Sequence, residues 1–194
     1  MIPRIERLAV VVPCYNAGTP LTTVAEGLAD VAGRLILVDD GSTDGAPDAL
    51  HEILVRHGGQ LITFPVNRGK GFALLAGFAA ALELPEIACV AVVDADGQHD
   101  PAELPRLYAA YQEQQADLVI GSRTFAQENV PLRSRIGNLF TISLTSALLG
   151  VRISDTQSGY RLHSRRFAES IIQTIPGGRY ETEMEILAKA VREG

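Results

Sequence analysis

The sequence has few cysteines, no excess of basic residues and no long apolar run, and each absence excludes a class of protein. Its two cysteines, Cys14 and Cys89, lie in apolar segments without CxxC spacing, so we expect buried free thiols rather than a disulfide or a metal site. The 17 Lys and Arg against 23 Asp and Glu leave a net charge of −6, which argues against a nucleic-acid-binding protein. No segment approaches the roughly 18 consecutive apolar residues of a membrane span.

Signals for secretion and for two common nucleotide-binding folds are also missing. The first residues lack the apolar core of a signal peptide, so we expect a cytoplasmic protein. No GxGxxG follows the first predicted strand and no GxxxxGK[ST] occurs. These absences exclude a dinucleotide-binding Rossmann protein and a P-loop NTPase. The 194 residues, 46% hydrophobic and 21% charged, are ordinary for one globular domain.

Strand-like and helix-like segments alternate through the first two thirds of the chain. The predicted strands span residues 8–13, 34–38, 60–64, 87–93 and 117–121, and the predicted helices between them span 20–31, 46–57, 71–84 and 101–114. Such alternation is typical of βαβ units with a mainly parallel sheet. Beyond these we expect a helix at 136–149, a short strand at 160–163, and helices beginning near Ser164 and Glu181.

Two carboxylates, Asp94 and Asp96, directly follow the buried fourth strand. Ligands of open α/β sheets bind at the carboxyl ends of strands, so these acids are expected to face a crevice. A hard cation such as Mg²⁺ takes one or two carboxylates together with substrate phosphate oxygens, which predicts a metal–diphosphate site. Turn formation and helix capping are the alternative explanation of the pair.

Polar residues follow the other predicted strands at the same edge. Pro13, Tyr15 and Asn16 come after the first, Asp39 and Asp40 after the second, Arg68 and Lys70 after the third, and Arg123 after the fifth. A ring and an amide suit a base or a sugar, acids suit ribose hydroxyls, and cations near a helix N-terminus suit phosphate. Any one of them also fits a plain turn or a surface charge, but such turns do not explain why all of them converge on one edge.

Later segments are more ambiguous. Arg133 and Arg135 are candidate phosphate ligands or surface charges, and the polar loop at 155–161 fits a substrate pocket or a turn before an edge strand. The glutamates that open the last helix fit a purely structural role at the positive end of the helix dipole, or a role in the site. The apolar segment at 136–150 fits a helix packed on the sheet, or one lying on a membrane surface.

The strings VVPCYN, VDDGSTD, NRGKG, DADGQHDP, GSR and DTQSGYR occur in this order between residues 8 and 161. In this set the chain resembles the family-two glycosyltransferases of the GT-A fold, and among them the dolichyl- or polyprenyl-phosphate sugar synthases. The likeness continues to about residue 186. It implies a Rossmann-like, mainly parallel sheet flanked by helices and a single catalytic domain over 1–194. Residues 1–122 would bind the nucleotide sugar, and residues 123–194 would form an acceptor side that we expect to be truncated.

The resemblance also implies residue roles. The nucleotide-sugar donor would contact Pro13, Tyr15, Asn16, Asp39, Asp40, Lys70, Asp94, Ala95, Asp96 and Arg135. Mg²⁺ or Mn²⁺ would be held by Asp94, Asp96 and Gln98. The acceptor phosphate would be held by Arg123 with Arg133 or Arg135, and the 155–161 loop would shape the sugar and acceptor region.

The implied reaction is an inverting, metal-dependent sugar transfer to a polyprenyl phosphate, with Asp94, Asp96, Arg123 and Asp155 as the catalytic residues. A phosphate acceptor is already anionic and needs no general base, whereas a saccharide hydroxyl would need one, with Asp155 the first candidate. A peripheral contact with the cytoplasmic face of a membrane would accompany a lipid acceptor.

Three alternatives stay open. The first is a transferase acting on saccharide hydroxyls, and the second is a non-catalytic module that binds nucleotide sugars. The third is a nucleotidyltransferase, which would carry a glycine-rich basic signature where this chain has Pro13-Cys14-Tyr15-Asn16.

Overall fold

The computed structural model describes residues 4–45, 50–121, 159–179 and 181–193. Within these ranges the strands are β1 Ile5–Cys14, β2 Ala32–Asp39, β3 Gln60–Thr63, β4 Cys89–Val92, β5 Leu118–Ile120 and β6 Arg161–Ser164. The helices are α1 Pro20–Ala29, α2 His51–His57, α3 Lys70–Leu82, α4 Leu104–Gln114, α5 Arg165–Thr174 and α6 Glu181–Glu193. Each predicted segment within the described ranges has its counterpart, and the predicted helix at 136–149 lies outside them.

The strands form one six-stranded sheet in the order β3-β2-β1-β4-β6-β5. β1 pairs in parallel with β2 and β4, and β2 pairs in parallel with β3. β6 lies antiparallel between β4 and β5, so it is not the edge strand that the turn interpretation of the 155–161 loop assumed. Because β6 runs against β4, the residues that precede β6 arrive at the edge where β4 ends.

The central strands are buried on both faces. Leu8, Val10 and Val12 of β1 belong to the core beneath α1, α2 and α4, while Ala9 and Val11 belong to the core beneath α3, α5 and α6. This alternation follows from the two-residue period of a strand, and burial on both faces explains why β1 reads as a continuous apolar run. The result is a three-layer α/β/α arrangement.

Glycine allows α3 to lie close to the sheet. A side chain at Gly77 would overlap the Val11 side chain, so the helix approaches β1 only because position 77 has no Cβ. Close packing fixes the first residues of α3 against the carboxyl ends of β1 and β4. The helix thereby delivers its N-terminal Lys70 to that edge.

Both cysteines are buried and free, as expected. Burial raises the pKa of the Cys14 thiol and that of the Cys89 thiol to about 12, so both stay protonated near neutral pH. No helix in the described ranges is long and apolar enough to cross a bilayer.

A histidine occupies the core between the sheet and α5. The ring of His163 lies 5.0 Å from that of Phe78 and 6.1 Å from that of Phe167. Its Nδ1 donates to the carbonyl oxygen of Val90 at 3.2 Å, and its buried Nε2 has no hydrogen-bond partner in the described part of the chain. Burial, reinforced by the charge of Arg161, lowers the pKa of His163 to about 3, so the folded protein holds it neutral.

Acid should therefore destabilise the fold through His163. The unfolded chain protonates this histidine below about pH 6.5, whereas the folded chain stays neutral down to about pH 3. Between these values its contribution to the free energy of unfolding should fall by up to about 1.4 kcal/mol per pH unit. Urea titrations of the wild type and His163→Phe across this range measure the difference. The control is His51→Phe, which makes the same change at an exposed position of α2. Equal pH slopes for wild type and His163→Phe would contradict the prediction.

Candidate active site

A cavity of about 640 Å³ opens at the carboxyl edge of the parallel strands. Its walls come from the segments that follow β1, β2 and β4, from the first turns of α1 and α3, and from Arg179 just before α6. The volume is typical of a site for a small organic ligand. The edge is the one at which the sequence predicted ligand binding.

The segments after β1 and β2 hold each other in place. The side-chain oxygen of Asn16 accepts a hydrogen bond from the backbone nitrogen of Thr43 at 2.8 Å, and the backbone nitrogen of Asn16 donates to Oγ of Ser42 at 2.9 Å. Asn16 adopts a left-handed backbone with φ of 48°, which asparagine tolerates better than most residues. These bonds leave the neighbouring Tyr15 ring 51% exposed at the cavity wall, where a planar base could stack on it.

Asp40 uses both of its oxygens inside the protein. They accept the backbone N–H groups of Arg68 and Gly69 at 2.7 and 2.8 Å, and the carboxylate is buried. These two amides of the turn before α3 are therefore bound by Asp40 and are not available to a ligand anion.

Two other predicted groups lie apart from the cavity wall. Asp39 is buried, and its Oδ1 accepts from the backbone nitrogen of Ser42 at 2.8 Å, which stabilises the turn after β2. The guanidinium of Arg68 lies over the rings of Phe64 and Phe72, at 5.1 and 4.7 Å from their centroids. Of the two cations in this turn, Lys70 therefore reaches the cavity and Arg68 does not line it.

Lys70 stands between two carboxylates. Its Nζ lies 2.7 Å from Oδ1 of Asp94 and 3.1 Å from Oε2 of Glu183 in α6. Burial alone would lower the pKa of Lys70, but the charges of Asp94 and then Glu183 outweigh it and raise that pKa. The side chain is therefore an ammonium ion at neutral pH, and it places one positive charge beside the acidic pair.

Asp94 and Asp96 both line the cavity. Oδ1 of Asp96 accepts from the backbone nitrogen of Gln98 at 2.9 Å, and a side chain at Gly159 would overlap the Asp94 carboxylate. Position 159 thus admits only glycine if the chain before β6 is to lie against Asp94.

This donor set fits a divalent metal. Its ligands would be hard carboxylate oxygens, and one of them already faces a cation, the Lys70 ammonium. In the described ranges no three His, Cys, Asp or Glu side chains cluster to hold a metal, so two carboxylates would leave the remaining positions to phosphate oxygens and water. Gln98 was predicted as a third ligand, but it does not belong to the cavity wall and its backbone serves Asp96.

The structure brings most of the predicted donor residues together. Those on the cavity wall are Pro13, Tyr15, Asn16, Asp40, Lys70, Asp94, Ala95 and Asp96. The predicted roles of Arg123, Arg133, Arg135 and Asp155 fall on residues outside the described ranges.

Two charged residues at this edge were not predicted. Arg179 lines the cavity, and Glu183 binds Lys70. Arg179 follows a pair of glycines, Gly177-Gly178, directly before a helix, which is the same kind of glycine-rich basic turn as at 67–71 and could have indicated it. Glu183 carries no such signal, because a glutamate in the first turn of a helix is explained by the dipole alone.

Comparison with known proteins places the chain in a family. The model of glycosyl transferase family 2 matches residues 9–172. The chain belongs to this family. The predicted class of enzyme, a glycosyltransferase, is thereby confirmed.

Relatives of this glycosyltransferase include two enzymes whose names contain polyprenol or dolichyl phosphate. Polyprenol monophosphomannose synthase of Mycolicibacterium smegmatis is 30% identical over 197 residues, which cover 97% of this chain and 74% of the relative. UDP-N-acetylglucosamine–dolichyl-phosphate N-acetylglucosaminyltransferase of Methanococcus voltae is 29% identical over 196 residues, covering 92% of this chain and 77% of the relative.

A solved structure confirms the GT-A fold of this glycosyltransferase. Glucosyl-3-phosphoglycerate synthase of Mycobacterium tuberculosis, crystallised with Mn²⁺, UDP and glucosyl-3-phosphoglycerate, superposes with a TM-score of 0.66 at 21% identity. The match covers 96% of this chain and 65% of that one, so the chain spans about two thirds of the solved structure.

The bonds of Asp40 predict a structural cost for its removal. Asp40→Asn keeps one acceptor but turns an NH₂ group toward a backbone N–H, and we expect the free energy of unfolding to fall by about 1–3 kcal/mol. Urea denaturation measures it, with the exposed Asp30→Asn as the control. Unchanged stability combined with lost nucleotide binding would show instead that Asp40 acts as a ligand of the nucleotide.

Gly159 offers a second prediction at this edge. In Gly159→Ala the new methyl group must displace the Asp94 carboxylate or the chain before β6, so we expect Mn²⁺-dependent nucleotide binding to weaken about tenfold or more. The control is Gly121→Ala, whose added methyl group would lie 3.2 Å from Cδ1 of Tyr160 and needs only a small adjustment. Calorimetry on both variants measures the effect; equal affinities would contradict it.

Proposed function

We propose that the protein transfers a sugar from a nucleotide-diphospho-sugar to a polyprenyl phosphate. The part of this proposal that concerns the donor rests on the cavity at the carboxyl edge of the sheet. This cavity is lined by Tyr15, Lys70, Asp94 and Asp96. An exposed ring, an ammonium ion and a carboxylate pair match the base, the diphosphate and the metal of such a donor.

In this proposal, different residues of the cavity wall contact different parts of the donor. Tyr15 stacks on the base, while Pro13 and Asn16 shape the wall beside it. Asp94 and Asp96 would hold Mg²⁺ or Mn²⁺, which when bound stabilises negative charge on the departing nucleoside diphosphate.

Lys70 and Arg179 bring positive charge to the same cavity. They would hold the diphosphate and favour its departure. Both residues line the cavity, Lys70 from the first turn of α3 and Arg179 from the segment before α6, so both cations can reach an anion bound there.

The acceptor half rests on the relatives. Two of them are named for dolichyl phosphate and polyprenol, and the family resemblance of this sequence includes the strings GSR and DTQSGYR. In this proposal Arg123, with Arg133 or Arg135, positions the acceptor phosphate. Since that phosphate is anionic at neutral pH, in-line displacement with inversion needs no general base.

Nucleotide binding is the first test of the proposal. The wild type should bind UDP or GDP in calorimetry with Mn²⁺ and lose most of that affinity in EDTA. Asp96→Asn should also lose nucleotide affinity. The asparagine oxygen can still accept the hydrogen bond from the Gln98 backbone nitrogen, but the charge that would bind the metal is removed. Failure of both nucleotides to bind the wild type would contradict the donor site.

The acceptor is tested separately with Asp155→Asn. Radiolabelled sugar transfer to a short-chain polyprenyl phosphate should continue in this variant, because the phosphate oxygen is already ionised. Transfer to a saccharide hydroxyl that disappears in Asp155→Asn, with no transfer to the lipid phosphate in either protein, would favour the saccharide alternative.

A further inference from the structure

The charges around Lys70 form a chain that extends beyond the donor wall. Glu183 lies between Lys70 and the buried Arg161: its Oε2 is 3.1 Å from Lys70 Nζ, and its Oε1 is 3.9 Å from Nη2 of Arg161. Nη1 of Arg161 also donates to the backbone oxygen of Glu183 at 3.2 Å. The sequence Arg161–Glu183–Lys70–Asp94 therefore alternates in sign from β6 to the end of β4.

Glu183 is held in place from both sides. Arg161 in β6 lies opposite Val92 in β4, and Val92 is two residues before Asp94. The sheet therefore fixes the position of Arg161 relative to Asp94. Thr182 is fully buried against α3, where a side chain at Gly71 would overlap it. With its neighbour packed on α3 and its backbone bound by Arg161, Glu183 is a fixed partner for the mobile end of a lysine.

Lys70 and a divalent metal would both use the Asp94 carboxylate. The ammonium lies 2.7 Å from Oδ1 of Asp94, and a metal bound by Asp94 would bring two further positive charges to this carboxylate. Lysine has a flexible four-carbon stem and three N–H donors, so it can leave Asp94 while staying bound to Glu183.

We infer that Glu183 is a positioning residue that controls how strongly Lys70 competes with the metal for Asp94. With Glu183 present, Lys70 has an alternative partner, leaves Asp94 as the metal arrives, and turns its ammonium toward the diphosphate. Without Glu183, Lys70 pairs with Asp94 alone and excludes the metal more strongly. The inference rests on the proposed donor site and adds a residue that does not belong to the cavity wall.

Metal affinity in the absence of nucleotide tests this inference directly. Mn²⁺ titrations followed by electron paramagnetic resonance should show Lys70→Met binding Mn²⁺ at least about fivefold more tightly than the wild type. Glu183→Gln should bind it at least about fivefold more weakly. Glu185→Gln, which removes the same charge from an exposed position of the same helix, should change the affinity less than twofold.

A double variant separates control through Lys70 from a direct effect of the Glu183 charge. In the Lys70→Met background, Glu183→Gln should alter the Mn²⁺ affinity less than twofold, because the competing cation is gone. An undiminished loss of affinity in that background would overturn the inference. So would weaker Mn²⁺ binding in both single variants, which is the result expected if these residues only maintain the fold.

Two controls keep the outcomes distinct. Thermal unfolding in EDTA shows whether each variant is folded, and Asp94→Asn shows whether the observed Mn²⁺ is bound at this edge. Wild-type Mn²⁺ binding that survives Asp94→Asn, or no Mn²⁺ binding by the wild type with or without nucleotide, overturns the proposed metal site and the inference with it. Binding that requires Asp94 but shifts in the same direction in both single variants overturns the inference alone.

Discussion

The ion pair between Lys70 and Asp94 is the interaction on which this edge of the sheet depends. Asp94 follows a strand buried on both faces, Gly159 abuts its carboxylate, and its side chain is 25% exposed. A carboxylate that is partly removed from water requires a compensating charge, and Lys70 supplies it at 2.7 Å. Packing of Gly77 on β1 brings α3 close enough for this contact, so the three-layer fold and the charge balance of the site are set together.

The acids at this edge divide into two kinds. Asp39 and Asp40 are buried and accept hydrogen bonds from backbone N–H groups, which stabilise the turns after β2 and β3. Asp94 and Asp96 face the cavity. Both pairs follow strands and look alike in the sequence, and Asp40 also lines the cavity, but both of its oxygens are bound by backbone N–H groups. A backbone amide stabilises a carboxylate through a hydrogen bond and adds no cation that a metal could displace. A lysine ammonium, in contrast, can be displaced by a metal.

Much of this arrangement follows from local patterns in the sequence. Buried strands show as apolar runs, and parallel strands bring their carboxyl ends to one edge, so the positions of Tyr15 and the acidic pair at the cavity were predictable. The insertion of β6 between β4 and β5 was not, because pairing of distant strands depends on the packing of the whole sheet. Glu183 was missed for the same reason: its helix position has a sufficient local explanation, and its partner Lys70 is more than a hundred residues away in the chain.

A cavity whose carboxylates are already paired with a lysine differs physically from one whose carboxylates have no cation until a metal binds. Two carboxylates facing one space repel each other, and Lys70 relieves that repulsion when no donor is bound. In the proposed site, a metal at Asp94 would replace one favourable contact by another, so its net gain would be smaller than the metal–carboxylate attraction alone. The displaced ammonium would become available for the diphosphate, and part of the donor's affinity would then depend on the metal. Such an exchange would couple metal and nucleotide binding through one side chain, with no movement of the sheet.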